Sequence, residues 1–285
     1  PCIIISETCT VAAAAAQIFM NMVRTEVFDD SETFFFAQNR IQGFYENIAQ
    51  SQMAVVEDVI ASLGAAEKNV LFTSGGTESD NLAILGYMQG RRGGELLYTA
   101  AEHPAVKNAC LEAEKRFACN AREIPLLTNG SVNLPALEAM LSPATRMICV
   151  MQVCNETGVV MPLGEICALR DRLAPSAAIH VDGVQGYLRE PFSFRDINVQ
   201  SYALSAHKIH GPKGVGALVY RGGFRIHPQM VGGGQQDNLR SGTEALYHGV
   251  SKHDPDMLRK GGCYLGVIAC FLAGAALGFD TTGVD

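Results

Sequence analysis

Short runs rich in apolar and β-branched residues alternate with stretches of helical period along most of this chain. Asn69–Thr73 (NVLFT), Glu95–Thr99, Arg122–Leu127, Arg146–Val153, Ala177–Val181, Ser201–Leu204 and Val215–Tyr220 read as strands. Helices are predicted over Thr77–Gln89, Pro104–Phe117, Leu134–Leu141 and Leu163–Leu173. A further helix is predicted over Gly43–Leu63, where Phe44, Ile48, Val55, Val56, Val59 and Leu63 make a stripe broken only by Gln52. The alternation predicts an α/β fold of three layers, a mostly parallel sheet with helices on both faces. Ligands of open α/β sheets bind beyond the carboxyl ends of the strands. The reactive residues cluster at those places: Ser74-Gly75-Gly76-Thr77-Glu78, Glu102-His103-Pro104, Asn155-Glu156-Thr157-Gly158, Asp182 with Gln185, and Ser205-Ala206-His207-Lys208.

Each cluster has a chemical reading beside a structural one. The Ser74–Thr77 turn opens a helix, so its backbone N–H groups, the helix dipole and the Thr77 hydroxyl can hold a phosphate. The same residues also suit a simple Ser/Thr N-cap, and no Lys-Ser/Thr follows the glycines as a Walker loop requires. Lys208, flanked by His207 and His210, can form a Schiff base with a carbonyl if its surroundings lower its pKa; otherwise it is a surface charge. A buried carboxylate at Asp182 needs a cation, and a protonated pyridine nitrogen supplies one. With His103 as a ring to stack, these are the parts of a pyridoxal phosphate site. A rival reading takes His180, Asp182, His207 and His210 as ligands for metal-assisted hydrolysis, but it leaves Lys208 and the Ser74–Thr77 turn without roles. His180 is otherwise a packed or surface strand residue.

Composition narrows the class. Of 285 residues, 48% are hydrophobic and 18% charged, which excludes a disordered chain. The formal net charge of −7 argues against a nucleic-acid partner, which would require a basic face. Nine cysteines occur with no C-x-x-C spacing, so they read as reduced, mostly buried thiols of a reducing compartment, cytoplasmic or mitochondrial, and not as a zinc site. No basic segment precedes the apolar Cys2–Ile5, which argues against a secretory leader. Residues 261–279 carry no charge and follow Arg259-Lys260; they predict a buried Gly/Ala-rich helix in preference to a membrane tail anchor.

The motifs FTSGGTESDNLAI (72–84), AEHPAV (101–106), NETG (155–158), HVDGVQ (180–185), SAHKIHGPKGVGAL (205–218) and GGGQQDNLRSGTE (232–244) resemble those of the pyridoxal phosphate-dependent cysteine desulfurases. These form a branch of the class V aminotransferase-like group that also holds selenocysteine lyases. The resemblance runs from about Gln42 to Glu244. It implies a pyridoxal phosphate-dependent transferase-like large domain over 43–250, with 1–42 and 251–285 unassigned. It further implies that Lys208 carries the cofactor and moves the α-proton, and that His103 stacks on the ring and acts in acid/base steps. Asp182 would pair with the ring nitrogen, with Gln185 and Asn155 on the phenolate side. Gly76, Thr77, Ser205 and His207 would hold the phosphate, and Thr243 would reach the phosphate of the other subunit in a homodimer. The implied reaction removes sulfur from L-cysteine, leaving alanine and an enzyme persulfide that feeds a sulfur-acceptor protein, as in iron–sulfur cluster assembly. Cys154 stands where the family has a first asparagine before NETG. The family's opening Asp-Asn-x-Ala-Thr-Thr motif, its nucleophilic cysteine loop and its substrate arginine find no counterpart, and Cys263 and Cys270 lie in an apolar run. Alternatives are a selenocysteine lyase or other class V activity, and an inactive subunit that binds the cofactor.

Overall fold

The computed structural model describes Val59 and residues 61–65, 69–209 and 213–242. In chain order these form β1 (Val70–Thr73), α1 (Gly76–Gln89), β2 (Glu95–Thr99), α2 (Pro104–Phe117), β3 (Asn120–Ile124), α3 (Leu134–Met140), β4 (Thr145–Met151), α4 (Leu163–Leu173), β5 (Ala178–Asp182), β6 (Ser201–Ser205), a 3-10 turn (Ala206–Ile209) and β7 (Gly216–Tyr220). The strands make one sheet in the order β1-β7-β6-β5-β4-β2-β3. All neighbours are parallel except at β7, which runs antiparallel to both β1 and β6. The cause is local: only a short connection separates β6 from β7, too little for the crossover that parallel pairing needs. Because β1 and β6 both oppose β7, β1 runs with the parallel strands and ends on the same rim.

The predicted alternation is therefore observed, and the α/β class with it. One strand differs. The sequence pattern places it at Arg122–Leu127, whereas β3 spans Asn120–Ile124. Pro125 has no N–H to give a ladder, so pairing with β2 stops before it, and Leu126 instead bridges back to Val132. The segments 1–42 and 243–285, the first part of the 43–63 helix, His210 and Thr243 lie outside the described residues. Among the described residues no helix is long and apolar enough to cross a membrane.

Burial follows the pleat. Leu96, Tyr98, Met147, Cys149 and Ala178 pack in one cluster with Leu82, Leu85, Met88, Val106, Ala109 and Ala113 of α1 and α2. The alternate residues, Leu97, Ile148, Val150, Ile179 and Val181, point the other way and are equally buried, so both faces of the sheet are covered. Cys110, Cys119, Cys149, Cys154 and Cys167 are free and buried, as the spacing predicts. Arg170 of α4 is buried at the opposite rim, donating to the carbonyls of Ala177 and Asn198 and to Gln200 Oε1, where it ties the starts of β5 and β6 together.

The edge strand β1 is finished by a side chain. Gln236 Oε1 accepts the Phe72 N–H at 2.6 Å, and its Nε2 donates to the Phe72 carbonyl at 2.9 Å. Gln236 lies in a left-handed turn, where Gln236, Asp237 and Asn238 all have positive φ of 49°, 58° and 61°.

Candidate active site

The carboxyl ends of β1, β2, β4, β5 and β6 bring the expected residues to one rim. After β1 the chain turns at Gly75, whose φ of 151° is open to glycine and strained for other residues. Gly75 is the N-cap of α1 and has no side chain to cap it, so the Ser/Thr N-cap reading does not hold. Ser205, at the end of β6, places its hydroxyl 3.7 Å from where a Cβ on Gly75 would stand. A Cβ on Gly216 of β7 would lie 2.7 Å from the Gly75 Cα. Two strands thus close around the turn, and β7 can approach it because residue 216 lacks a side chain. Glu78 accepts the Ser74 N–H at 2.7 Å and pairs with Arg240 at 2.7 Å, which holds the turn from the outer side. Thr77, in the first turn of α1, is exposed.

Asp182 ends β5, and its carboxylate is buried with 5% exposure. It accepts one hydrogen bond, from the Val184 N–H at 2.9 Å, and forms no ion pair among the described residues. Burial pushes its pKa up to about 7, helped by the negative charge of Asp80 and opposed by the Val184 N–H, His180 and His103. An anion held this way is suited to a cationic partner.

His180, two residues earlier on the same face of β5, is fully buried. Its Nδ1 lies 2.9 Å from Ser201 Oγ and its Nε2 lies 3.1 Å from Asp80 Oδ1. Burial drives His180 down to about 4 and Asp80 well above the carboxylate range. Both imidazole nitrogens are engaged, so His180 is the packed strand residue and not a metal ligand beside Asp182. No group of His, Cys, Asp and Glu among the described residues is placed to hold a metal ion.

Glu102 is the second buried carboxyl of the rim. Its Oε1 accepts from the Thr99 hydroxyl at 2.6 Å and from the Met151 N–H at 2.8 Å, binding the end of β2 to the end of β4. Its Oε2 is buried without a partner. Burial is the main cause that raises Glu102 to about 8. The native state therefore keeps this proton from the ordinary value of 4.5 up to about 8, while the unfolded chain loses it. The stability it contributes is full at low pH and declines as pH rises through that window, by about 1.4 kcal/mol per pH unit. Glu102→Gln is expected to remove this share of the slope, leaving the contributions of Asp182, Asp80 and His180, in urea unfolding between about pH 5 and 8. A variant with the wild-type slope would refute it.

The remaining residues fall around these. His103 caps α2, its Nδ1 accepting the Ala105 N–H at 3.1 Å, which fixes the ring and leaves Nε2 as the free nitrogen. His207 Nδ1 lies 2.9 Å from Ser205 Oγ; burial, with the positive charges of Lys208 and Lys213, lowers its pKa, so it is neutral near pH 7. Lys208 is half-buried on the 3-10 turn. Asn155 is exposed on a turn closed by Gly158 N–H to the Cys154 carbonyl at 2.8 Å. Burial raises the neighbouring Cys154 thiol, but donors from Thr157 and Glu156 outweigh it, and its pKa ends below the usual range. Gln185 accepts from Arg189 at 2.9 Å.

Asp80 and Arg189 escape a motif reading. An acid inside an otherwise buried helix face signals the first. The four-residue spacing from Gln185 signals the second.

Known proteins agree with this geometry. The chain is 38% identical over 190 residues to a cysteine desulfurase of Nostoc sp., covering 66% of this chain and 46% of that protein. It is 38% identical over 202 residues to a cysteine desulfurase of Cereibacter sphaeroides (70% of this chain, 51% of the relative) and 36% identical over 205 residues to cysteine desulfurase IscS of Rickettsia prowazekii (70% and 48%). The chain thus spans about half the length of these relatives. Among solved structures, a NifS-like protein superposes with a TM-score of 0.70 at 29% identity, covering 82% of this chain and 59% of that one. SspA in complex with cysteine superposes with a TM-score of 0.68 at 27% identity, covering 81% and 62%. The resemblance read from the six motifs is borne out. The model of the family described as Aminotransferase class-V matches residues 13–272, which takes in every described strand and helix, and the chain belongs to that family.

Proposed function

We propose that this chain is the cofactor-binding part of a pyridoxal phosphate-dependent cysteine desulfurase. The observation that carries the reading is Asp182, a buried carboxylate without a cation among the described residues, on the same rim as an open glycine turn and Lys208. These residues fit the group. The turn at Gly75-Gly76 with Thr77, Ser205 and His207 offers amides and hydroxyls to a phosphate. Asp182 suits a protonated ring nitrogen, and Asn155 and Gln185 suit the ring's phenolate side. The names of the relatives and the cysteine bound in one structural neighbour support L-cysteine as substrate.

When bound, pyridoxal phosphate supplies an electron-poor ring that accepts the electron pair left when an amino acid loses its α-proton. Asp182 holds the proton on the ring nitrogen, so the ring stays electron-poor. Lys208 Nζ would hold the cofactor and would take the α-proton from the substrate. His103 Nε2 exchanges protons on the substrate side, because Nδ1 is occupied by the Ala105 N–H. In the net reaction an acceptor thiol takes the sulfur: the Cβ–S bond of cysteine breaks, an S–S bond forms, and alanine leaves. A homodimer, with Thr243 reaching the partner subunit's phosphate, and a sulfur-acceptor protein belong to the same proposal and rest on the family resemblance.

The test is the visible spectrum of the purified chain with added pyridoxal phosphate, before and after L-cysteine, with alanine and sulfide measured under a thiol reductant. A yellow protein whose band shifts with cysteine and that releases alanine is expected. Turnover of selenocysteine alone would move the assignment to a lyase. A protein that gains no band would sink it.

A further inference from the structure

Arg189 lies beyond the HVDGVQ motif, and no role in a pyridoxal site falls to it from the motifs. Its guanidinium joins two residues that do have such roles. One Nη donates to Gln185 Oε1 at 2.9 Å, and the other donates to the backbone carbonyl of Lys208. A guanidinium has five N–H donors and no acceptor. Gln185 must therefore turn its carbonyl oxygen toward Arg189, which leaves its amide NH₂ as the end that faces a ligand. That end suits an anionic oxygen, not a donor. The second bond holds the 3-10 turn Ala206–Ile209 by the carbonyl of the lysine itself.

The backbone before Arg189 is shaped for this reach. Leu188 has a φ of 60°, a left-handed conformation that is costly for a branched side chain, and its side chain is 44% exposed, so burial does not explain it. The turn ends the Gly183–Tyr187 coil, with Arg189 N–H and Glu190 N–H both donating to the Gly186 carbonyl at 2.9 Å. Strain at Leu188 sets the direction in which Arg189 leaves the chain. Arg189 is exposed, so its bonds add little to the stability of the fold and act on local geometry.

We propose that Arg189 is a positioning residue: it aims the Gln185 amide at the phenolate oxygen of a bound pyridoxal ring and pins the backbone of Lys208 so that its amine meets the same ring. The first half rests on the pyridoxal reading above; the pinning of Lys208 does not.

The experiment uses the full chain as wild type, Arg189→Met, Arg189→Lys, Gln185→Ala and the Arg189→Met/Gln185→Ala pair. Without cofactor, amide hydrogen exchange is followed in the peptide covering 205–209, together with the melting temperature. Arg189→Met is expected to speed exchange there about tenfold, with the melting temperature unchanged. With pyridoxal phosphate added, Kd is expected to weaken about tenfold in Arg189→Met and to recover in part in Arg189→Lys, which keeps the charge and a donor group but not the two-armed fork. In the Gln185→Ala background the same change should cost less, because half of its action is already gone. Unchanged exchange and unchanged Kd in Arg189→Met would overturn the proposal. So would equal losses in both Arg189 variants that track a fall in melting temperature, since that marks a purely structural role. If the wild type itself takes up no pyridoxal phosphate, the proposed function fails, and the exchange rates still decide whether Arg189 pins Lys208.

Discussion

Lys208→Ala is expected to lower turnover of L-cysteine by about 10⁴-fold, the upper range for loss of a positioned proton carrier. On the proposed function, the substitution removes two actions of one amine, covalent attachment of pyridoxal phosphate and transfer of the α-proton. Lys208 sits on a 3-10 turn whose Ala206 N–H bonds the Val215 carbonyl at 3.0 Å, so the backbone does not depend on its side chain. The variant should therefore fold with the wild-type melting temperature. Borohydride treatment of the wild type with added cofactor should yield a stable adduct on the peptide containing residue 208, and the variant should yield none. A variant that retains more than about a tenth of wild-type turnover would remove Lys208 from the chemistry, because such a change is too small for the loss of an acid/base group.

Asp182→Asn is expected to lower turnover by about 10³-fold, near 4 kcal/mol of barrier. The amide keeps the size of the side chain but cannot hold a proton on the ring nitrogen. The carboxylate it replaces is buried at 5% exposure and meets no cation among the described residues, so the native site bears a cost that binding of a cationic ring would relieve. The variant should accordingly be at least as stable as the wild type without cofactor at neutral pH, while binding the cofactor more weakly. Parallel measurement of unfolding by urea and of steady-state rates separates these two effects. Loss of stability together with normal turnover would show that Asp182 is a structural residue.

Much of this architecture is legible in the sequence. The β–α order and six of the seven strands follow from period and composition, because each strand is a short β-rich run and the segments between them read as helices, α2 with a polar face and α1 apolar and buried from Leu82 to Met88. Where the reading slipped, at β3, burial is weak: Asn120–Ile124 is an edge strand with one buried residue, so its pattern carries little signal, and Pro125 decides its end. The site residues were legible as residues at strand ends, since the parallel sheet brings all those ends to one rim. Their supports were not. Asp80 meets His180 across 100 residues of chain, and Arg189 meets Lys208 across 19. No periodicity encodes such contacts. They exist only once the sheet order, which the sequence pattern does not specify, is in place.

Gln236 has a consequence outside the site. An outer strand with bare N–H and C=O groups is a template on which another extended chain can grow, and proteins guard such borders with charge, proline or cover. Among the described residues, a side-chain amide takes this role at Phe72. By taking both backbone groups of Phe72, at 2.6 and 2.9 Å, Gln236 acts as a one-residue strand. The segment that carries it owes its shape to three successive left-handed residues, a conformation that does not extend into a strand of its own. Among the described residues, β1 thus carries at Phe72 a cap that cannot itself recruit a neighbour. Loss of that cap would be felt first in aggregation on storage or refolding, not in catalysis.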